Sequence, residues 1–93
     1  MSQNIVVNGT ITCDTAELGI FLEAVAEHIR LSRTEPGCIE FEIRQSADDP
    51  CRFLVAERFE NRAAFEAHTT RTRASAGWGK TRHMPRDFVI KTS

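Results

Sequence analysis

Three consecutive stretches decide the fold. They are Cys38-Ile39-Glu40-Phe41-Glu42-Ile43-Arg44-Gln45, then Ser46-Ala47-Asp48-Asp49-Pro50, then Cys51-Arg52-Phe53-Leu54-Val55-Ala56-Glu57-Arg58-Phe59-Glu60. Two runs of alternating apolar and polar residues flank a cluster of turn formers, the pattern of an antiparallel hairpin. With a five-residue loop, Ile39, Phe41 and Ile43 oppose Glu57, Val55 and Phe53 on one face. Glu40, Glu42 and Arg44 then oppose Ala56, Leu54 and Arg52 on the other. A slip of one residue would turn the apolar set outward, so the faces are well specified. The same register sets Cys38 against Arg58 and Cys51 against Gln45, too far apart for a disulfide.

Upstream, Ile5, Val7, Ile11 and Cys13 alternate with Val6, Asn8, Thr10 and Thr12, which reads as a strand with Gly9 as a bulge. Asp14 suits a helix N-cap, and Glu17 three residues later completes a capping box. Leu18, Phe21, Leu22, Val25, Ala26 and Ile29 then form one apolar helical stripe. The helix should end near Arg33, because Glu35-Pro36-Gly37 cannot continue it. Downstream, Asn61 can cap a second helix from Arg62 to about Thr70, with Ala64, Phe65 and His68 on one face. The stretch from Arg71 to Pro85 is a short helix or an ordered loop, and Asp87 to Thr92 is a last strand. The order βαββαβ is the α+β, ferredoxin-like, split βαβ topology.

Length and composition agree. The chain of 93 residues is one domain's worth. A domain of this size buries only roughly 65% of the surface its unfolded chain exposes, so its core is thin and pairing with a second copy would help it. A hydrophobic share of 41% beside a charged share of 27% excludes disordered, collagen-like and disulfide-scaffold classes. No apolar run approaches the roughly 20 residues of a membrane span. Met1-Ser2-Gln3-Asn4 has neither a basic cluster nor an apolar segment, so no secretory leader and a cytoplasmic location are expected. Cys13, Cys38 and Cys51 lack metal-ligand spacing, and His28, His68 and His83 are scattered. No metal site is expected, and the thiols should be reduced.

The net charge of -1 shows no polyelectrolyte preference, but its distribution is uneven. No acid lies between Glu66 and Asp87, where Arg71, Arg73, Lys80, Arg82 and Arg86 all fall. Such a segment could draw in an anionic ligand or be a solvated basic face. Four residues carry potential chemistry. His68 falls on the inward face of its helix, where an imidazole could act as base or acid, or sit as a satisfied core group. Glu57 falls on the apolar sheet face, where a carboxylate needs a partner or a raised pKa. Trp78, between Gly77 and Gly79, could wall an aromatic pocket or fill space under a loop. Asn8 could orient a ligand oxygen or face solvent. No Ser-His-Asp spacing, P-loop, GxGxxG or HExxH is present, which excludes ordinary hydrolase and nucleotide readings.

Glu35-Pro36-Gly37-Cys38, then Asp49-Pro50 followed by Phe53 and Glu57, then Ala64-Phe65 and His68, resemble the antibiotic biosynthesis monooxygenase (ABM) domain family. That family includes quinol monooxygenases, cofactor-free oxygenases of polyketide pathways, an autoinducer-processing isomerase and haem-degrading enzymes. The resemblance spans nearly the whole chain. It implies a dimeric α/β-barrel, in which the sheets of two subunits meet and each subunit holds a pocket between sheet and helices. Haem-degrading members place an asparagine on the first strand, a tryptophan on the second helix and a histidine about ten residues later. Asn8 matches the first, but His68 stands at the tryptophan position and Trp78 at the histidine position, so no haem is expected. The chain also has no tyrosine, a residue the polyketide-type oxygenases employ. His68 matches the histidine common in the quinol-oxygenase and isomerase branches.

The resemblance therefore implies a cofactor-independent monooxygenase acting on a small quinol or polycyclic aromatic substrate. Triplet dioxygen reacts poorly with closed-shell molecules, but an ionised quinol or enol can supply the electron itself. In that reading His68 is base or proton shuttle and Asn8 orients a substrate oxygen. Phe65 and Trp78 form an apolar wall beside Glu57, and Arg73, Arg82 or His83 supply a positive field at the mouth. The reading needs the His68 ring to project into a sheltered hollow roofed by helices. An isomerase, or a non-catalytic dimer that binds a small ligand, are the alternatives on this scaffold. An RNA recognition motif shares the topology, but the third strand lacks its glycine and central aromatic pair, so no nucleic-acid partner is expected.

Overall fold

In a computed structural model describing residues 3–93, the strands are β1 (Ile5–Thr12), β2 (Cys38–Gln45), β3 (Arg52–Phe59) and β4 (Arg86–Thr92). The helices are α1 (Leu18–Arg33), α2 (Arg62–Ala74) and α3 (Ala76–Thr81). Met1 and Ser2, the start of the segment read for a leader, lie outside the described residues. The four strands form one antiparallel sheet in the order β2-β3-β1-β4, which gives the expected ferredoxin-like fold. Among the described residues no helix is long and apolar enough to cross a membrane.

Strand alternation sends Ile5, Val7, Ile11, Phe41, Phe53, Val55 and Phe59 to the helix side, where all are buried. Phe21 of α1 packs its ring 4.5 Å from that of Phe53, joined by Ile11, Cys13, Val55 and Met84. A second cluster of Ile5, Phe41 and Phe59 sits under Ile29 and Phe65. Among the described residues the opposite face of the sheet carries no helix, and Leu54 and Val89 lie exposed on it.

Four local expectations are corrected. First, the hairpin register is two residues from the five-residue-loop pairing: Phe41 opposes Glu57, Ile43 opposes Val55 and Gln45 opposes Phe53. Asp49 causes this by accepting the Cys51 N–H through Oδ1 at 2.9 Å, while Arg52 N–H closes a turn on the Asp49 carbonyl at 3.1 Å. Cys51 thus joins the turn. An even slip preserves the faces, so the apolar assignment of Phe41, Ile43, Phe53 and Val55 survives. Second, a bulge between Cys38 and Glu40 turns Ile39 out to solvent, 55% exposed, where core packing was expected. Third, Asp14 makes no side-chain cap, because a 3-10 turn at Thr15–Glu17 intervenes before α1, and Glu17 instead engages His83. Fourth, the buried stripe of α1 runs through Phe21, Val25, Ile29 and Ser32, leaving Leu22 and Ala26 outside.

Gly37 is needed where it stands. It ends the turn after α1 with φ of 84°, and an added Cβ would lie 2.6 Å from that of Ala64. The Glu60 N–H donates to the Gly37 carbonyl at 2.8 Å, tying the end of β3 to this turn. Asn61 then caps α2 as expected, accepting the Ala64 N–H at 2.9 Å.

Candidate functional site

Two turns into α2, His68 points down onto the sheet and is 6% exposed. Its ring lies 4.9 Å from Phe59, 5.3 Å from Phe41 and 5.4 Å from the ring of His28 on α1. Nδ1 bonds Glu35 Oε1 at 2.8 Å, from the turn that follows α1. The other oxygen of Glu35 accepts from Arg71 Nε, and Arg71 Nη2 donates to Ser32 Oγ at 3.0 Å. An acceptor at Nδ1 requires the proton there, so Nε2 carries the free lone pair in the neutral ring. Nε2 faces Thr72 Oγ1 at 3.5 Å and Glu57 Oε1 at 3.8 Å.

Glu57 arrives from β3, flanked across the sheet by Phe41 and Val7. Burial, and then the negative charge of Glu35, push its pKa up to about 7. Burial lowers that of His68, against the opposing pull of the Glu35 hydrogen bond. His28 falls to about 4, chiefly through burial and then the charge of His68. Near neutrality Glu57 therefore lies between its protonated and ionised forms, 3.8 Å from an imidazole whose charged form burial disfavours. Such a pair can accept or release one proton with little change in driving force.

The sheet and helices bring His68 and Glu57 together, and Phe65 stacks 5.7 Å from Phe59 at the edge of the same cluster. Asn8 is not brought there. It alternates with Val7 and Gly9 to the face opposite the helices and lies exposed, which corrects its pairing with His68 within one chain. Trp78 is half-buried under the Arg86 guanidinium, 4.9 Å from the ring centre, and does not join the His68 cluster. Arg73 and Arg82 are exposed. His83 is exposed and bonded through Nε2 to Glu17 Oε2 at 2.5 Å. Arg71 and Arg86 turn inward onto Glu35 and the end of α3, so the acid-free segment is not an open basic mouth.

The expected hollow beside His68 is also corrected. A surface hollow of about 400 Å³ opens on the helix-free face, lined by Asn8, Thr10, Arg52, Asp87, Val89 and Lys91. Another, of about 250 Å³, lies along Arg33 and Cys38 to Glu42 at the β2 edge. Neither has His68 in its wall, because Phe41, Phe59, Glu35 and His28 close around the ring.

Sequence reasoning missed Glu35, Arg71, Ser32, Thr72 and His28 as members of this cluster. A signal was present: His28 and Ser32 follow Phe21 and Val25 at helical spacing, and Arg71 and Thr72 lie three and four residues after His68.

Known proteins share this fold. The profile described as antibiotic biosynthesis monooxygenase matches residues 4–77. A structure assigned as an antibiotic biosynthesis monooxygenase from Nitrosomonas europaea is 30% identical, covering 100% of this chain and 92% of that one at a TM-score of 0.79. A protein from Shewanella oneidensis is 26% identical, covering 100% and 91% at a TM-score of 0.73. One from Deinococcus radiodurans, also assigned as such a monooxygenase, shares the fold at 18% identity, covering 96% and 89% at a TM-score of 0.75. Comparison with curated proteins gave no match.

Proposed function

Because the chain belongs to the antibiotic biosynthesis monooxygenase family, we propose that it oxygenates a small quinol or polycyclic aromatic substrate without a cofactor. The observation that carries this reading is the buried His68–Glu57 pair at 3.8 Å, with Glu57 raised to about 7. Cofactor-free oxygenation needs a group that takes a proton from the substrate near neutral pH, since only the substrate anion donates an electron readily to dioxygen. In this reading the proton moves to Nε2 of His68 and is shared with Glu57. Glu35 and Arg71 hold the ring in the tautomer that leaves Nε2 free. Four electrons leave the substrate. With a quinol, one oxygen atom replaces a ring hydrogen as a hydroxyl while the quinol becomes a quinone; with a polycyclic substrate it turns a ring methylene into a carbonyl. In both the other atom departs as water.

Access is the requirement this reading adds. His68 is enclosed, so substrate entry must displace part of the cover formed by Phe41, Phe59, Glu35 and His28. Two copies pair through the helix-free sheet face in this proposal, covering the exposed Leu54 and Val89. That pairing puts Asn8 and the larger hollow at the dimer seam.

The enclosure of His68 favours a second reading, a non-catalytic dimer that binds a small metabolite elsewhere on its surface. An isomerase is separated from both by its indifference to oxygen. To decide, the chelator-treated protein is incubated with a panel of reduced quinols under oxygen-18 gas and under argon. Protein-dependent incorporation of one labelled atom supports the oxygenase, and turnover under argon supports the isomerase. Unreacted substrate under both gases removes the enzymatic reading.

A further inference from the structure

We propose that Cys13 and Cys51 form a reversible oxidation site, closing a disulfide between the end of β1 and the start of β3. The pairing of β1 with β3 runs Ile11 against Phe53 and Thr12 against Arg52, so the next pair is Cys13 against Cys51. One residue beyond the last paired residues of the two strands, the Cys13 N–H donates to the Cys51 carbonyl at 2.9 Å, which holds the two backbones side by side. Opposed residues of antiparallel chains have Cα atoms about 4.5–5.5 Å apart, inside the span of about 4.4–6.8 Å that a disulfide bridges. Alternation puts both side chains on the helix side of the sheet, where Cys51 packs against the core cluster that holds Cys13. Both cysteines are free.

Their environments divide the work. Cys51 is partly exposed, with Thr15 Oγ1 3.8 Å from its sulfur, so an oxidant meets it first. Cys13 is 5% exposed, and its thiol stays protonated, pushed up to about 11 by burial and the Cys51 contact. A peroxide oxidises the Cys51 thiolate to a sulfenic acid and is reduced to water. The Cys13 sulfur then attacks the Cys51 sulfur, the S–S bond forms, and the hydroxyl leaves as a second water. In sum, two thiols and one peroxide give one disulfide and two waters. Cys38 is left out, since it opposes Phe59 at the far end of the hairpin. The inference is independent of the oxygenase reading, because it uses none of the His68 cluster.

The test is hydrogen peroxide treatment of the full chain, then alkylation, intact mass measurement and non-reducing peptide mapping. The expected result is loss of two hydrogens in mass, a Cys13–Cys51 peptide link, one alkylated site at Cys38, and reversal by dithiothreitol. Oxidation should also raise Tm by about 10 °C, from the constraint a disulfide places on the unfolded chain. Cys51→Ser spares the buried sulfur and should lose both the link and the Tm rise. Cys38→Ser should keep both. The proposal is overturned if Cys13 and Cys51 remain alkylated after excess peroxide. It is equally overturned if Cys51→Ser still forms an intramolecular link.

Discussion

Replacing Glu57 with Gln isolates the cost of keeping a carboxylate among aromatic rings. Glu57 is 8% exposed, lies opposite Phe41 and is raised from 4.5 to about 7. An acid whose folded pKa exceeds its unfolded value binds more protons when folded between those two values. Stability conferred by the protonated form is therefore complete below about pH 4.5 and lost as pH rises to about 7. Each tenfold change in proton affinity corresponds to roughly 1.4 kcal/mol, so this one site removes about 3 kcal/mol from the folded state above neutrality. Gln mimics the neutral carboxyl in shape and cannot ionise. Urea unfolding of both proteins at pH 4.5 and pH 8 reads the effect directly. The variant should match wild type within about 1 kcal/mol at the lower pH and exceed it by about 3 kcal/mol at the higher. Comparing the two proteins cancels the titration of His28, which acts in the opposite direction. A stability difference unchanged between the two pH values would refute the reasoning.

Two other substitutions probe named contacts. His28 is depressed from 6.5 to about 4, so its contribution is present above pH 6.5 and lost as pH falls toward 4. His28→Gln should therefore flatten the acid limb of a Tm-versus-pH curve, and parallel curves for variant and wild type would count against the burial argument. At Gly9, an added Cβ would lie 2.1 Å from the Asp87 carbonyl oxygen and 2.5 Å from Phe88 Cδ1. Gly9→Ala should push β4 off β1 and cost about 2 kcal/mol in urea unfolding, with faster amide exchange along β4. Unchanged exchange there would show that the edge strand yields freely.

The fold was legible because its strongest signals are local. Alternation in β2 and β3, the Glu35-Pro36-Gly37 stop and the Asn61 cap each act over a few residues. Faces were also legible, because period-two alternation survives an even register slip. Exact register was not, since one Asx bond from Asp49 draws Cys51 into the turn. The Glu17 capping box failed through a partner 66 residues away, His83, which no local rule sees. The site divides the same way. His68 and Glu57 stood out as polar residues on apolar faces, whereas Glu35 belongs to a turn and Arg71 to the acid-free segment. Only the packing of α2 against the end of α1 turns those two into the support of the His68 ring. Asn8 had two readings, and its alternation with the apolar Val7 already pointed to the exposed, helix-free face.

The central claim is that a buried imidazole, paired with a carboxyl poised near neutrality, takes the proton that lets a substrate reduce dioxygen. Its most direct test is the oxygen-uptake rate of chelator-treated protein on a reduced quinol that supports turnover, compared between wild type and His68→Gln. Circular dichroism confirms that both proteins are folded. Uptake should fall at least about 100-fold in the variant, in the range expected for removing a general base. Equal uptake by the folded variant would contradict the claim.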